Sequence, residues 1–382
     1  MDELSKGEVI EGYELVDVLG SGASGTVWLA NGPMGSVALK VLSPHLARPR
    51  PTGFEGPWIV ERFLEEAWLL RQLKLPGLVR VLDVIVKVEE SFIALVLERL
   101  EGVDLASAAQ SLTLAELLDV GASVADTLGA LHERGVVHRD VKPSNIFIVN
   151  GSGPIRSRVK LLDFGVAKDT FEGGIDQTAT GVMVGTLLSM SPEAIRRSYG
   201  EQLVLDGAAD QWALGVTLYL CLTGHPPFQG RDQLETVSKI LSQPHPPLVL
   251  ASRFDAAPSA VVATVIDRCL AKDRARRFTN AKEVCAALTE LRDHVDRERE
   301  HPTELEQPRV TRRTSSWRSL HEGRNVGSDR KIRADLVATL DGPQKSSSGQ
   351  AEREPRRVSI LWVALASILA AMLAFTVVRA FG

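Results

Sequence analysis

The chain has 382 residues, of which 44% are hydrophobic and 24% charged, and it carries a net charge of −4 at pH 7. That composition suits a large globular domain with material to spare, and the slight acidity gives no support to a nucleic-acid partner, which wants a basic field. Its three cysteines include no C-x-x-C pair, which argues against a disulfide framework or a cysteine zinc site and for a reducing compartment.

The first residues, Met1 to Glu8, are acidic and lack an apolar core, so they do not read as a secretory leader. Tyr13–Leu19 and Gly25–Ala30 read as strands flanking a glycine-rich turn, and Ser36–Leu42 as a third strand behind the Asn31-Gly32-Pro33 turn. His45 to Trp58, rich in proline and glycine, reads as loop. Val60 to Leu73 has helical spacing, with Phe63, Ala67 and Leu70 on one face. Strands near Leu78–Val86 and Phe92–Leu97 complete a small sheet-rich lobe over about residues 11–100.

From Thr113 the pattern turns helical. Thr113-Leu114-Ala115-Glu116 is a capping box, in which hydroxyl and carboxylate each satisfy a backbone donor of the first turn. The helix it opens carries Leu117, Val120, Val124, Leu128 and Leu131 on one stripe and stops at Gly135. Further helices are expected over Asp210–Thr223, Asp232–Leu241, Ala260–Ala271 and Ala281–Val295. A β-rich lobe followed by an α-rich one, an α+β arrangement, suits an enzyme that works in a cleft.

Three motifs bear chemistry. Gly20-Ser21-Gly22-Ala23-Ser24-Gly25-Thr26-Val27 matches G-x-G-x-x-G-x-V, in which glycines let backbone approach phosphate oxygens. A dinucleotide fold would need a helix directly afterwards, and β-prone Thr-Val-Trp-Leu follows instead, which favours a loop folded over ATP. Thirteen residues beyond Val27 comes Lys40, placed for a phosphate contact, with Glu66 as the helix residue that orients it and Glu65 facing water. His138-Arg139-Asp140-Val141-Lys142-Pro143-Ser144-Asn145 is followed, 18 residues after Asn145, by Asp163-Phe164-Gly165. That order and spacing serve phosphoryl transfer. Asp140 accepts the proton of an attacking hydroxyl, while Asn145 and Asp163 hold Mg²⁺, or Mn²⁺ in its place, against the phosphates.

With these motifs the chain resembles the eukaryotic-type Ser/Thr protein kinases, in particular the membrane-anchored bacterial branch, from about Tyr13 to Val295. The resemblance implies a bilobal fold with an N-lobe over about 11–100 and a larger helical C-lobe over about 101–295. It implies an ATP pocket formed by Leu19, the glycine-rich residues 20–27, Ala38, Lys40, Glu98 and Leu100. Lys142 would steady the transferring group, which favours Ser/Thr over Tyr substrates. Glu193, in Ser191-Pro192-Glu193, would pair with a buried Arg277, and Asp210 would brace the catalytic loop. Thr186 would bond near that loop; three positions on, Ser189 replaces the family's usual tyrosine and puts substrate preference in doubt. Arg139 would grip a phosphate on Thr178 or Thr180. Two rivals, a weakly catalytic nucleotide-binding scaffold and a small-molecule phosphotransferase, fit less well. Every chemical position is filled, and the Gly185–Glu193 segment is that of a protein-substrate groove.

Residues 296–357 change character. From Arg297 to Arg357 there are 14 Lys/Arg against 10 Asp/Glu and few large apolar side chains, the composition of a disordered tether. Such a coil would span roughly 40–50 Å. Arg312-Arg313-Thr314-Ser315 within it is an ordinary basic-plus-hydroxyl tetrapeptide. Val358–Val378 is a run of 21 residues without charge, proline or glycine, about 31 Å as a helix and long enough to cross a bilayer. Arg353, Arg356 and Arg357 upstream place the preceding domain in the cytoplasm, and the four residues 379–382 after the span leave no room for an external sensor. Ala366, Ala370 and Ala374 form a small-residue stripe on which two such helices could pair as a homodimer.

Overall fold

The computed structural model describes residues 4–22, 25–42, 59–87, 92–163, 184–254 and 259–300. The N-lobe is built from β1 (Val9–Ile10), β2 (Tyr13–Gly22), β3 (Gly25–Gly32), β4 (Gly35–Leu42), α1 (Ile59–Gln72), β5 (Val81–Lys87) and β6 (Phe92–Glu98). The strands form one antiparallel sheet in the order β1-β2-β3-β4-β6-β5.

Strand β6 shows why this sheet sits where it does. Its sequence is apolar without a break from Phe92 to Leu97, the mark of a strand covered on both faces. Phe92, Ala94 and Val96 join Tyr13, Leu15, Trp28 and Leu39 in one core, while Ile93, Leu95 and Leu97 join a second core that runs on into the C-lobe. The same period of two governs β4. Val37, Leu39 and Val41 pack into the outer core, so Lys40, between them, is sent to the opposite face.

The C-lobe contains β7 (Gly102–Asp104), α2 (Leu105–Ala108), α3 (Leu114–His132), β8 (Ile146–Val149), β9 (Val159–Leu161), α4 (Val184–Ser189), α5 (Pro192–Ser198), α6 (Gly207–Thr223), α7 (Gln233–Ser242), α8 (Ser259–Cys269) and α9 (Ala281–Glu300). The capping box of α3 forms in full. Thr113 N–H donates to Glu116 Oε2 at 2.9 Å, and Glu116 N–H donates back to Thr113 Oγ1 at 3.2 Å. All five residues of the expected stripe on α3 are buried, and burying each leucine contributes about 1.5–3 kcal/mol. Gly135, at φ +74°, makes the left-handed turn that ends this region. Helix α6 is buried almost all round, from Ala209 to Leu222, so it serves as the internal post of the lobe.

Three features depart from the sequence reading. A second antiparallel sheet, β7-β8-β9, lies inside the region expected to be helical. Strand β5 begins at Val81 rather than near Leu78, which forms an isolated bridge to Leu161. The last helix, expected to end at Val295, runs to Glu300 and so takes in the first residues assigned to the tether. Arg292 holds that extension, lying 3.3 Å from Asp293 and 3.5 Å from both Asp119 and Asp296, while Arg297 Nε donates to Asp293 O at 3.1 Å. Among the described residues no helix is long and apolar enough to cross a membrane; the Val358–Val378 run and the rest of the tether lie outside them.

Candidate active site

Between the lobes, the end of β2 and the start of β3 supply the glycine-rich residues, β4 supplies Lys40, and the 3₁₀ turn Pro143–Asn145 follows the loop that carries Asp140. The glycines are required for different reasons. A Cβ on Gly25, at φ +144°, would collide with the carbonyl oxygen of Val41. A Cβ on Gly20 or Gly22 would meet nothing within 4 Å. Packing therefore does not require glycine at those two positions, and the space beside them is open. Leu19, Ser21, Thr26 and Val27 lie on the same strand ends, while Ala23 and Ser24 fall outside the described residues. Ala38 and Leu100 are half-buried and pack on the shared core, where they can flank a planar base.

Lys40 is only 6% exposed, and its Nζ stands 2.8 Å from Asp163 Oδ1. The sequence predicts Glu66 as the helix residue that orients Lys40. That residue lies in α1, but its side chain is outside the described residues, as are Phe164, Gly165, Thr178 and Thr180. Thr186 lies on α4, with its side chain likewise outside them.

Asp140 is 8% exposed, and its Oδ2 lies 3.1 Å from Lys142 Nζ. Asn145 Nδ2 donates to Asp140 Oδ2 and to Asp140 O, both at 2.9 Å, and reaches Asp163 O at 3.5 Å. Because the amide nitrogen is committed to these oxygens, Asn145 Oδ1 remains as an acceptor, and Asp163, whose backbone oxygen the same amide reaches, adds a carboxylate. A hard oxygen pair of this kind suits Mg²⁺ completed by phosphate and water oxygens. No cluster of three or more His, Cys, Asp or Glu that could form an all-protein metal cage occurs among the described residues.

The loop bearing Asp140 is held from beneath. Asp210, fully buried on α6, accepts from His138 N–H at 2.8 Å, Arg139 N–H at 2.7 Å and His132 Nε2 at 2.8 Å. Burial alone would raise its pKa, but these donors and the nearby histidines hold it below the usual carboxylate range. The clamp matters because Arg139 sits at φ +65°, a conformation that costs a non-glycine residue of order 1–3 kcal/mol. His138 is also fully buried, and burial pushes its pKa down despite the surrounding carboxylates. The ring is therefore neutral, with Nε2–H donating to Leu162 O at 2.7 Å and Nδ1 accepting from Asp140 N–H at 3.3 Å.

Farther out, Arg277 donates from Nη1 and Nη2 to the two carboxylate oxygens of Glu193 at 2.6 and 2.9 Å, with Arg277 only 3% exposed. Ser191 caps α5 beside it, donation coming from Ala194 N–H at 3.3 Å. Glu98 commits its side chain to Lys160 Nζ at 2.7 Å and Arg80 N–H at 3.0 Å. Two residues escaped the sequence reading, His132 and Lys160. A histidine in the last turn of a helix reads as an ordinary dipole partner. For Lys160 the signal was a lone charge in the apolar run Val159–Leu162, just before Asp163.

A six-stranded sheet above a helical lobe, with a buried lysine, two aspartates and an asparagine meeting between them, is the architecture of a protein kinase. The family model described as "Protein kinase domain" matches residues 13–288, and the chain belongs to the eukaryotic-type Ser/Thr protein kinase family, with bacterial relatives. Similar proteins include the serine/threonine-protein kinase Pkn1 of Myxococcus xanthus, 37% identical over 290 residues, covering 74% of this chain and 39% of that protein. Another is PknJ of Mycobacterium tuberculosis, 36% identical over 291 residues, covering 75% and 46% respectively. The chain thus spans less than half the length of these relatives. Among solved structures it is similar to the PknI kinase domain of Mycobacterium tuberculosis, with a TM-score of 0.55 and 27% identity over 76% of this chain and all of that one.

Proposed function

We propose that this chain transfers the γ-phosphate of ATP to serine and threonine hydroxyls of proteins, its own activation segment included, while tethered to a membrane. The observation that carries the catalytic part is the linked set Lys40–Asp163, Asn145–Asp140 and Asp140–Lys142, joined by contacts of 2.8, 2.9 and 3.1 Å. Asp140 is positioned by Asn145 and Lys142 to orient a substrate hydroxyl and take its proton. Lys142 brings a cation beside the same carboxylate, where negative charge gathers during transfer. Lys40 supplies a buried cation for the phosphates, and Gly20 and Gly22 leave room for them. A divalent ion held by Asn145 and Asp163 would screen the charge of the triphosphate. Family membership supports the use of ATP and a divalent metal.

The membrane tether rests on the uncharged run Val358–Val378 and the arginines before it, with the kinase domain on the cytoplasmic side. Autophosphorylation rests on Arg139 beside Asp140 and on the hydroxyls of Thr178 and Thr180. Pairing through the alanine stripe would bring two kinase domains together and favour phosphorylation in trans.

The test is incubation of the full chain with labelled ATP, Mg²⁺ and a general protein substrate, beside Asp140→Asn. Label should enter the substrate as phosphoserine and phosphothreonine with the wild type, and fall by about 10³-fold or more in the variant. Equal labelling in both, or none in either, refutes the reading. Alkaline extraction of cell membranes tests the tether: release of the chain into the soluble fraction rules out the span.

A further inference from the structure

The partly buried ion pair between Glu98 and Lys160 is used by no step described above, yet it joins two strands that matter. Glu98 ends β6, whose Leu95 pairs in register with Lys40. Lys160 lies in β9, three residues before Asp163, between the buried Val159 and Leu161. Lys160 Nζ donates to Glu98 Oε1 at 2.7 Å and to Leu78 O at 3.3 Å. Arg80 N–H donates to Glu98 Oε1 at 3.0 Å, Arg80 Nε lies 3.4 Å from Oε2, and Glu98 N–H donates to Arg80 O at 3.0 Å. The carboxylate is thus gripped from both sides, with side-chain exposures of 17% for Glu98 and 20% for Lys160. Burial raises the Glu98 pKa, but Lys160, followed by Arg80, outweighs it and holds the group charged.

We infer that Lys160 is a positioning residue for ATP, acting through Glu98. Held by Lys160 and Arg80, the Glu98 side chain leaves the backbone of Glu98, Arg99 and Leu100 to meet the base. The lysine that locks it sits on the strand that delivers Asp163 to the phosphates. One ion pair therefore sets the distance between the base-binding edge and the metal-binding carboxylate. The inference rests on the kinase reading. It places no side-chain group of Glu98 or Lys160 on the nucleotide itself; what they control is registration.

The experiment measures ATP KM, kcat and thermal midpoint on the full chain, together with binding of a fluorescent ATP analogue. The variants are Lys160→Met, Glu98→Gln, their combination and Lys160→Arg. Each single change that breaks the pair should raise ATP KM by about five- to tenfold with kcat within about twofold, since a charge-assisted contact is lost without touching Asp140. The double variant should be no worse than either single one, because both remove the same interaction. Lys160→Arg, which keeps the charge, should restore KM. Unchanged KM with a lowered thermal midpoint would show a mere fastener and overturn the inference, as would additive effects in the double variant. If Lys160→Met does not fold, the isosteric Glu98→Gln decides by the same criterion. Wild-type protein that binds no nucleotide brings down the kinase reading and this inference with it, whereas wild-type and Lys160→Met proteins that bind equally bring down the inference alone.

Discussion

Lys40 Nζ and Asp163 Oδ1 stand 2.8 Å apart, so a single ion pair runs from the fourth strand of the N-lobe to a residue two positions past β9 of the C-lobe. With its side chain 8% exposed, the lysine is shielded from solvent, and its charge acts at far higher strength than a surface ammonium would. Replacement by methionine keeps the length and removes the charge. We expect Lys40→Met to lower kcat by about 10²-fold or more while the protein stays folded. Phosphate incorporation at saturating ATP checks this, and a rate near that of the wild type would remove Lys40 from the catalytic set.

His132 and Asp210 give a second test, aimed at the support beneath the loop. Three donors converge on the Asp210 carboxylate, and His132 is the one that comes from a separate helix. Losing it leaves a fully buried charge short of a partner and weakens the clamp on the strained Arg139. His132→Phe should destabilise the protein by about 1–3 kcal/mol, the usual cost of leaving a buried acceptor short of a donor. It should also slow turnover with little change in ATP KM. Urea unfolding and steady-state kinetics read the two effects, and wild-type stability would show that the two backbone N–H groups suffice.

The bidentate pair of Glu193 and Arg277 predicts an acid sensitivity. Burial raises the Glu193 pKa, but Arg277 outweighs it and holds the carboxylate below its ordinary range. A depressed folded-state pKa means that the stabilisation is present above about pH 4.5 and is lost as pH falls through the lower, folded value. Glu193→Gln should therefore cost stability at neutral pH and progressively less as the solution is acidified toward about pH 3. A penalty independent of pH, measured by denaturant unfolding across that range, would mean the pair acts through shape and not charge.

Legibility in the sequence followed physical scale. The capping box at Thr113 and the stripe on α3 were readable because their partners lie within a few turns of the same helix. The glycine-rich and His138–Asn145 motifs were readable because the chemistry fixes their spacing. The β7-β8-β9 sheet was not: β7 and β9 are three residues long and β8 four, too short for a period of two to emerge. Lys160 and Glu98 are 62 positions apart, and His132 and Asp210 are 78 apart, so nothing local marks either pair. The extension of α9 beyond Val295 also escaped, since Arg292, which pairs with Asp296 at its start, also lies against Asp119 on another helix. Only folding brings such partners together.

Lys272 supplies a prediction in the alkaline range. Its Nζ donates to Lys239 O at 3.1 Å and Ile240 O at 2.7 Å, closing the last turn of α7, and it lies 3.5 Å from the Phe228 ring centroid and 4.8 Å from that of Trp212. Phe228 in turn stacks on Trp212 at 5.3 Å. Burial, and after it the charge of Arg277, pushes the lysine pKa down to about 7. In the unfolded chain the amine titrates near 10.4. Between about pH 7 and 10.4 the unfolded state therefore binds more protons than the folded one, and stability rises with pH; below that window both states are charged and the native protein carries the whole desolvation cost. Lys272→Met fills the same space without a charge and abolishes the window. The thermal midpoint of the wild type minus that of the variant should increase steadily from about pH 7 to about pH 9.5. Midpoints of both proteins taken in matched buffers decide the matter: a difference that stays flat, or shrinks as pH rises, means that the two carbonyls and two ring faces keep the ammonium charged throughout.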